Sequence, residues 1–303
     1  MDGFHPGEIV AQQHAGVAGQ AAAMAHFRET SLPEGIDWFL AEQPWIVVGA
    51  ADDEDRMWAT ILYGAPGFVS APDERTLQIA ARPPAGDALA AALARPADVG
   101  ALVIETARRL RLRLNGRSEP ADGGLRIALE EVYGNCPKYI TGRAVADLVD
   151  APAHPRRTVD DALDDRARAL LAAADTMFVA TRARQYGADV SHRGGNPGFL
   201  QASDPHTITW PDYQGNNMFN TFGNLELDPH LGLTLADPDS GTTLQVSGTA
   251  QVVWDAERLA DIPGAQRLVE LTVHRTVLLE QAAPLRWTVV RPARNPPAPR
   301  AAG

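Results

Sequence analysis

The sequence predicts a mainly β protein with flanking helices, in the β/α+β class, built as two barrels in tandem. Three observations lead there. Short runs rich in Val, Ile, Thr and Trp recur between Gly, Pro and Asp turns, as in Trp45-Ile-Val-Val-Gly49 and Thr207-Ile-Thr-Trp210. Helical periodicities are short and lie before or between these runs. The chain also repeats itself. Gly64-Ala-Pro-Gly-Phe-Val-Ser-Ala-Pro-Asp-Glu-Arg-Thr-Leu77 lies over Gly195-Asn-Pro-Gly-Phe-Leu-Gln-Ala-Ser-Asp-Pro-His-Thr-Ile208 at a constant offset. Upstream, Ile46 to Gly49 meets Met177 to Ala180. Downstream, after one inserted residue, Leu112 to Gly116 meets Leu244 to Gly248. Two copies make a tandem of globular units rather than a solenoid, and strands at this spacing close as antiparallel barrels.

Taken in order, Pro6 to Thr30 carries Val10, Val17, Met24 and Phe27 loosely at helical spacing. Pro33 to Gln43 reads as a second short helix, with Ser31 as its cap and Trp38 and Phe39 pointing inward. Strands follow at Trp45 to Gly49 and Met57 to Leu62, around the acidic turn Asp52 to Asp55, then at Thr76 to Ala80, Gly100 to Thr106, Arg109 to Asn115 and Leu125 to Glu130. Asp87 to Ala94 reads as an alanine-rich helix. Asp160 to Ala174 is a helix that is acidic at its start, with Leu163, Ala167, Leu170 and Leu171 on one face. The strand pattern then resumes at Thr176 to Thr181, Ala188 to Arg193, Thr207 to Trp210, Leu231 to Ala236, Thr243 to Trp254 and Leu268 to Leu279. The expected division is a first barrel with its helices over 1–140, a connector and helix over 141–175, a second barrel over 176–290, and a Pro/Ala/Arg-rich tail over 291–303 that frays.

Composition narrows the function. A formal net charge of −11 argues against a nucleic-acid or anionic-membrane partner. With 45% hydrophobic residues the chain can bury real cores. No apolar run is long enough for a membrane helix, and the first twenty residues lack the pattern of a secretory signal. Cys136 is the only cysteine, which excludes an intrachain disulfide and fits a cytoplasmic location. The eight histidines show no ligand spacing, so no metal site is expected.

The stretch from Asp189 to Asn224 concentrates the chemistry. Two strands, Asp189 to Gly194 and Thr207 to Trp210, lead into Asp212-Tyr-Gln-Gly-Asn-Asn217 and a short helix. Such a turn aims backbone N–H groups and amides at one spot, as an anion or a flavin edge requires. Arg193 is a planar donor suited to phosphate, and Asn216, Asn217 and Asn220 can donate to it as well. Trp210 is either an aromatic wall or core.

These residues carry a family resemblance. Phe178 to Thr181, Asp189-Val-Ser-His-Arg-Gly-Gly-Asn-Pro-Gly-Phe199, Pro211 to Asn224 and Val246-Ser-Gly-Thr-Ala250 resemble the pyridoxamine 5′-phosphate oxidase-like FMN-binding split barrels, and Gly134 to Ile140 resembles the segment that ends the first barrel in tandem members. The resemblance implies two tandem split β-barrels, each six-stranded, with FMN between them. It implies an FMN-dependent oxidoreductase that passes hydride or electrons to or from a small organic substrate, or NAD(P)H. Carried over by position, Asp189, Val190, Ser191, His192, Arg193 and Gly194 form the strand along the flavin. Thr209, Trp210, Asn216, Asn217 and Asn220 form the turn and phosphate pocket. Asn135, Cys136, Lys138 and Tyr139 arrive from the first barrel. His192 and Cys136 are the candidate catalytic groups; packing roles stand equally open for both. The pattern departs at Gln214 and Asn217, where relatives carry basic residues. Each charge-assisted bond so lost costs ~1.5–3 kcal/mol, which opens F420 or haem as the alternative ligand of a non-catalytic barrel. The first copy lacks the asparagine cluster, so one competent site per chain is expected, in a pseudo-dimer or a homodimer.

Overall fold

The computed structural model describes residues 3–299. Helices α1 (Pro6–His14), α2 (Ala18–Ala22) and α3 (Asp37–Ala41) precede the first sheet. Its strands are β1 (Trp45–Ala51), β2 (Met57–Tyr63), β3 (Val69–Asp73), β4 (Thr76–Ile79), β5 (Ala97–Glu105), β6 (Leu110–Ala121) and β7 (Gly124–Gly134), in the order β2-β1-β5-β6-β7-β4-β3. The connector holds β8 (Gly142–Leu148), β9 (Arg157–Asp160) and α4 (Asp165–Ala173). The second sheet comprises β10 (Thr176–Ala183), β11 (Gly187–Gly194), β12 (Gln201–Asp204), β13 (Thr207–Tyr213), β14 (His230–Ala236), β15 (Thr243–Val253) and β16 (Ala265–Leu279), with α5 (Asn220–Leu227) and α6 (Ala256–Leu259) interposed. Its order, β11-β10-β14-β15-β16-β13-β12, repeats the first sheet strand for strand. β17 (Leu285–Arg291) then pairs with β8 as a separate ribbon, while β9 adds to β16.

The alternation of strand side chains explains how the halves join. In β1, Ile46, Val48 and Ala50 enter the first barrel's core, while Trp45 and Val47 face the second barrel. In β10, Met177 and Val179 enter the second core, while Phe178 and Ala180 meet the first barrel. Strands buried on both faces read as unbroken apolar runs, which is why they are legible in the sequence. Closest approach falls on glycine. A Cβ on Gly100 would lie 2.5 Å from the carbonyl carbon of Asp189, and one on Gly232 would lie 2.5 Å from Cα of Trp58. Trp58 aligns with Asp189 in the internal repeat, so the two contacts are related by a pseudo-two-fold axis.

Several local expectations change. The first sheet has seven strands and the second eight, rather than six each, because the short edge strands β3 and β12 extend them and β9 adds to the second. Asp87 to Ala94 is turns ending in a single 3-10 turn, Ala92–Ala94. There Asp87 accepts from Thr60 Oγ1 at 2.5 Å and from the Leu89 N–H at 2.8 Å, and Gln245 Oε1 takes the Ala88 N–H at 3.1 Å, so side chains replace helical partners. Helix α3 starts at Asp37, well past Ser31, and Trp38 is 52% exposed beneath Arg108. Past Arg291 the chain runs against the body as far as residue 299, with Asn196 Nδ2 donating to the Pro296 carbonyl at 3.0 Å; the remainder of the expected tail lies outside the described residues. Among the described residues no helix is long and apolar enough to cross a membrane.

Candidate functional site

Strand β11 packs against β5 and β6 of the first barrel, and the polar chemistry gathers at that seam. Arg113, on β6, is buried and reaches across it. Its Nη1 donates to both oxygens of Asp189 at 3.0 and 2.9 Å, and its Nη2 donates to Ser191 Oγ at 2.6 Å. Tyr133 and Asn115 also donate to Asp189 Oδ1, at 3.0 and 3.2 Å. Burial works against the Arg113 charge, but the touching Asp189 carboxylate holds its pKa above the ordinary arginine value.

Arg111, two residues earlier on the same strand face, has no carboxylate partner among the described residues. Its Nη2 donates to the Cys136 carbonyl, its Nη1 meets His192 Nδ1 at 3.1 Å, and its Nε is buried without a partner. Burial, and then the nearby Arg113 charge, push its pKa down to about 9. A guanidinium only donates, so His192 Nδ1 is the acceptor and the ring proton sits on Nε2. Burial, followed by the charge of Arg111, holds the imidazole pKa well below its usual value. His192 is therefore a neutral hydrogen-bond donor, and this environment disfavours the imidazolium that a general acid needs.

A second arginine pair lies deeper in the second barrel. Arg193 Nη1 donates to Asp212 Oδ1 at 3.1 Å. Arg267 stands opposite Asp212 in the β13–β16 register, with Nε 3.3 Å from Asp212 Oδ2. Its guanidinium sits 4.8 Å from the Phe219 ring and 4.9 Å from the Trp254 ring, and its Nη1 is buried without a partner. These groups line two contiguous clefts that share Arg113, Arg193, Asp212 and Tyr213. Four arginines there meet two carboxylates, a positive focus in a chain whose net charge is −11.

The turn between β13 and α5 passes Asn217 and Phe219 in the left-handed region, at φ 62° and 65°. Strain of this kind costs of order 1 kcal/mol or more per residue and needs compensating contacts. Asn216 Oδ1 accepts the Met218 N–H at 3.2 Å, and Gln12 Nε2, from α1, donates to the Met218 carbonyl at 3.0 Å. Phe219 caps α5 without a side-chain bond, leaving the first N–H groups of the helix uncapped by it. Asn220 donates to Glu8 of α1 at 2.9 Å, and the buried Glu8 is paired with Arg28. From the first barrel, Tyr139 Oη donates to the Gln214 carbonyl at 3.0 Å, closing one cleft over the turn.

Ten of the residues carried over by position line these clefts: His192, Arg193 and Gly194 from the strand; Asn216, Asn217 and Asn220 from the turn; and Asn135, Cys136, Lys138 and Tyr139 from the first barrel. Others do not. Asp189 and Ser191 stand behind the wall, orienting Arg113, and Val190 is part of the apolar seam. Trp210 is 1% exposed in the second barrel's core, because it shares a strand face with Ile208, and Thr209 borders an adjoining cleft that shares only Phe199 and Pro211 with the arginine clefts. Sequence reasoning missed Arg111, Arg113, Asp212, Arg267 and Glu8. Comparison of the two copies would have flagged Arg113, which aligns with Gln245. At the aligned positions of the first barrel, Trp58 replaces Asp189 and Leu62 replaces Arg193, so no arginine cluster forms there.

Residues 163–294 match the family model described as pyridoxamine 5′-phosphate oxidase. No curated protein matches the chain. Among solved structures, the chain is similar to a candidate pyridoxamine 5′-phosphate oxidase from Lactobacillus delbrueckii, at 19% identity over 39% of this chain and 94% of that one, with a TM-score of 0.33. It is also similar to HupZ from Group A Streptococcus, at 13% identity over 40% and 98% of the two chains and a TM-score of 0.33. An FAD binding protein from Mycobacterium smegmatis matches at 14% identity over 40% and 99%, with a TM-score of 0.29.

Proposed function

We propose that this chain, whose second barrel is of the pyridoxamine 5′-phosphate oxidase-like split-barrel family, binds FMN in the cleft between its own two barrels and works as an oxidoreductase on a small organic substrate. The buried Arg267 carries the reading. Its Nη1 lacks a partner, and burying an unmatched donor on a charged group costs ~1–3 kcal/mol or more. An anion that accepts from it removes that cost. Together with Arg193 and the uncapped start of α5, Arg267 would hold the phosphate; the turn supplies Asn216 and Asn217 beside them. This supports a phosphate-bearing ligand although Gln214 and Asn217 bring no positive charge: the cations stand on neighbouring strands instead.

The adjoining cleft, lined by His192, Cys136, Tyr139 and Arg111, is where the ring system would lie. FMN would supply the redox chemistry when bound. The protein's part is to bind, orient and exclude water. Arg111 would place a fixed positive charge beside the ring, and His192 would offer its Nε2 proton without becoming charged. Cys136 shares the cleft, but a thiol nucleophile is not required by this reading.

Titration of the ligand-free protein with FMN, followed by absorbance and flavin fluorescence, tests it. Saturable uptake of one FMN per chain is expected. Failure to bind FMN, with binding of F420 or haem in its place, would reassign the cofactor.

A further inference from the structure

A second cleft lies at the pseudo-two-fold seam, apart from the cofactor cleft. None of its lining residues lines the arginine clefts. Trp45 and Thr176, which align in the internal repeat, both border it. The repeat has diverged here, with a large ring on one side and a small side chain on the other, and the cleft opens on the small side.

Its walls are aromatic. Trp45 meets Phe178 edge-on at 5.4 Å and Trp287 at 5.6 Å between centroids, and Tyr63 completes the lining. Two of the charged groups at its edge pair with each other: Arg143 Nη2 donates to both oxygens of Asp175 at 2.8 Å. The third, Asp237, accepts the Asp239 and Ser240 N–H groups at 2.9 and 2.7 Å and has no cationic partner among the described residues, so the lining keeps a negative charge. The Tyr63 hydroxyl has no hydrogen-bond partner among the described residues, and burial raises its pKa, which keeps it a donor.

We propose that this cleft is a second ligand site that takes a planar, fused aromatic molecule that bears a carbonyl and no anionic group. Offset and edge-on ring contacts with Trp45, Phe178 and Trp287 would recognise the rings, and Tyr63 would donate to the carbonyl. An anionic ligand is disfavoured because the Arg143 charge is taken by Asp175 and the Asp237 carboxylate adds a negative charge to the lining. The site does not depend on the cofactor reading, because it shares no lining residue with that cleft.

Isothermal titration of the full chain with coumarin, a neutral fused bicycle with a lactone carbonyl, tests it. One saturable site per chain is expected, unchanged when FMN is present at saturating concentration. Tyr63→Phe, which keeps the ring, should weaken binding by about 2- to 10-fold. Ala173→Trp should abolish it, since Ala173 is exposed at the cleft wall and a large ring there fills the space without disturbing the core. The proposal is overturned by absence of saturable binding, by displacement of coumarin by FMN, or by affinity unchanged in both variants.

Discussion

Arg113 and Asp189 form a buried ion pair that joins the two barrels, with Arg113 Nη1 within 3.0 Å of both carboxylate oxygens. The pseudo-symmetric position holds Gln245 and Trp58 instead, and there Gln245 donates to the Ala59 carbonyl at 2.9 Å. One seam of the pseudo-dimer is thus ionic and the other is sealed with an indole. This asymmetry is what confines the arginine cluster to one side of the molecule.

Asp189→Ala should destabilise the fold by about 3–5 kcal/mol, because it strands the Arg113 charge in a buried site. Arg113→Met combined with Asp189→Leu should recover much of that loss, since it removes both charges together. Urea unfolding of the single and double variants measures the difference.

Arg267→Ala should weaken FMN binding by about 10- to 100-fold, the effect of losing a charge-assisted bond. Arg267→Lys should not restore it fully. The guanidinium lies 4.8 and 4.9 Å from two aromatic rings, a packing that a compact ammonium does not reproduce. Fluorescence titration with FMN reads both variants, and near-UV circular dichroism confirms that they fold.

The N-terminal helix acts on the site through Asn220. A Cβ at Gly223 would lie 2.5 Å from the backbone N and Cα of Glu8. Gly223→Ala should therefore lift α1 from α5, release Asn220 from Glu8 and expose the segment before β1 to protease. Limited trypsin digestion should cut at Arg28 faster in the variant, and FMN affinity should fall with it.

Stability should carry a signature of His192. Its pKa in the folded chain is depressed by burial and by Arg111, so below about pH 6.5 the unfolded chain takes up a proton that the folded chain does not. Stability is then lost as pH falls from about 6.5 toward the folded pKa, by ~1.4 kcal/mol per pH unit at most. His192→Asn should remove this contribution. Urea midpoints of wild type and variant, compared from pH 5 to 7.5, should diverge in slope only in the acid part of that range.

Much of this was legible in the sequence, for a physical reason. β1, β2 and β10 are buried on both faces, so their apolar runs are nearly continuous, and the internal repeat put both sheets into one register. The turn after β13 was legible through its Gly and Asn residues, which the left-handed backbone at Asn217 calls for. The arginines were not. Arg111 and Arg113 alternate with leucines along β6 and Arg267 sits alone in β16, and an alternating charged residue reads as a solvated face. The pairing of barrels turns Arg113 and Arg111 inward, toward Asp189 and His192, 76 and 81 residues away in sequence, while Arg267 is turned in by Asp212, its cross-strand neighbour in the second barrel. Trp210 was ambiguous because an aromatic ring suits either a cofactor wall or a core, and the shared face with Ile208 decides for the core. The Asp87 to Ala94 segment looked helical from alanine content, but Asp87 and Gln245 capture its N–H groups.

The central claim is that the cleft between the barrels is built around a phosphate. Parallel titrations of the ligand-free chain with FMN and with riboflavin, which differ only in that group, test it most directly. The account predicts one FMN per chain, riboflavin bound at least about 100-fold more weakly, and that gap narrowed by about 10- to 100-fold in Arg267→Ala. Equal affinity for the two ligands, or no uptake of either, would contradict it.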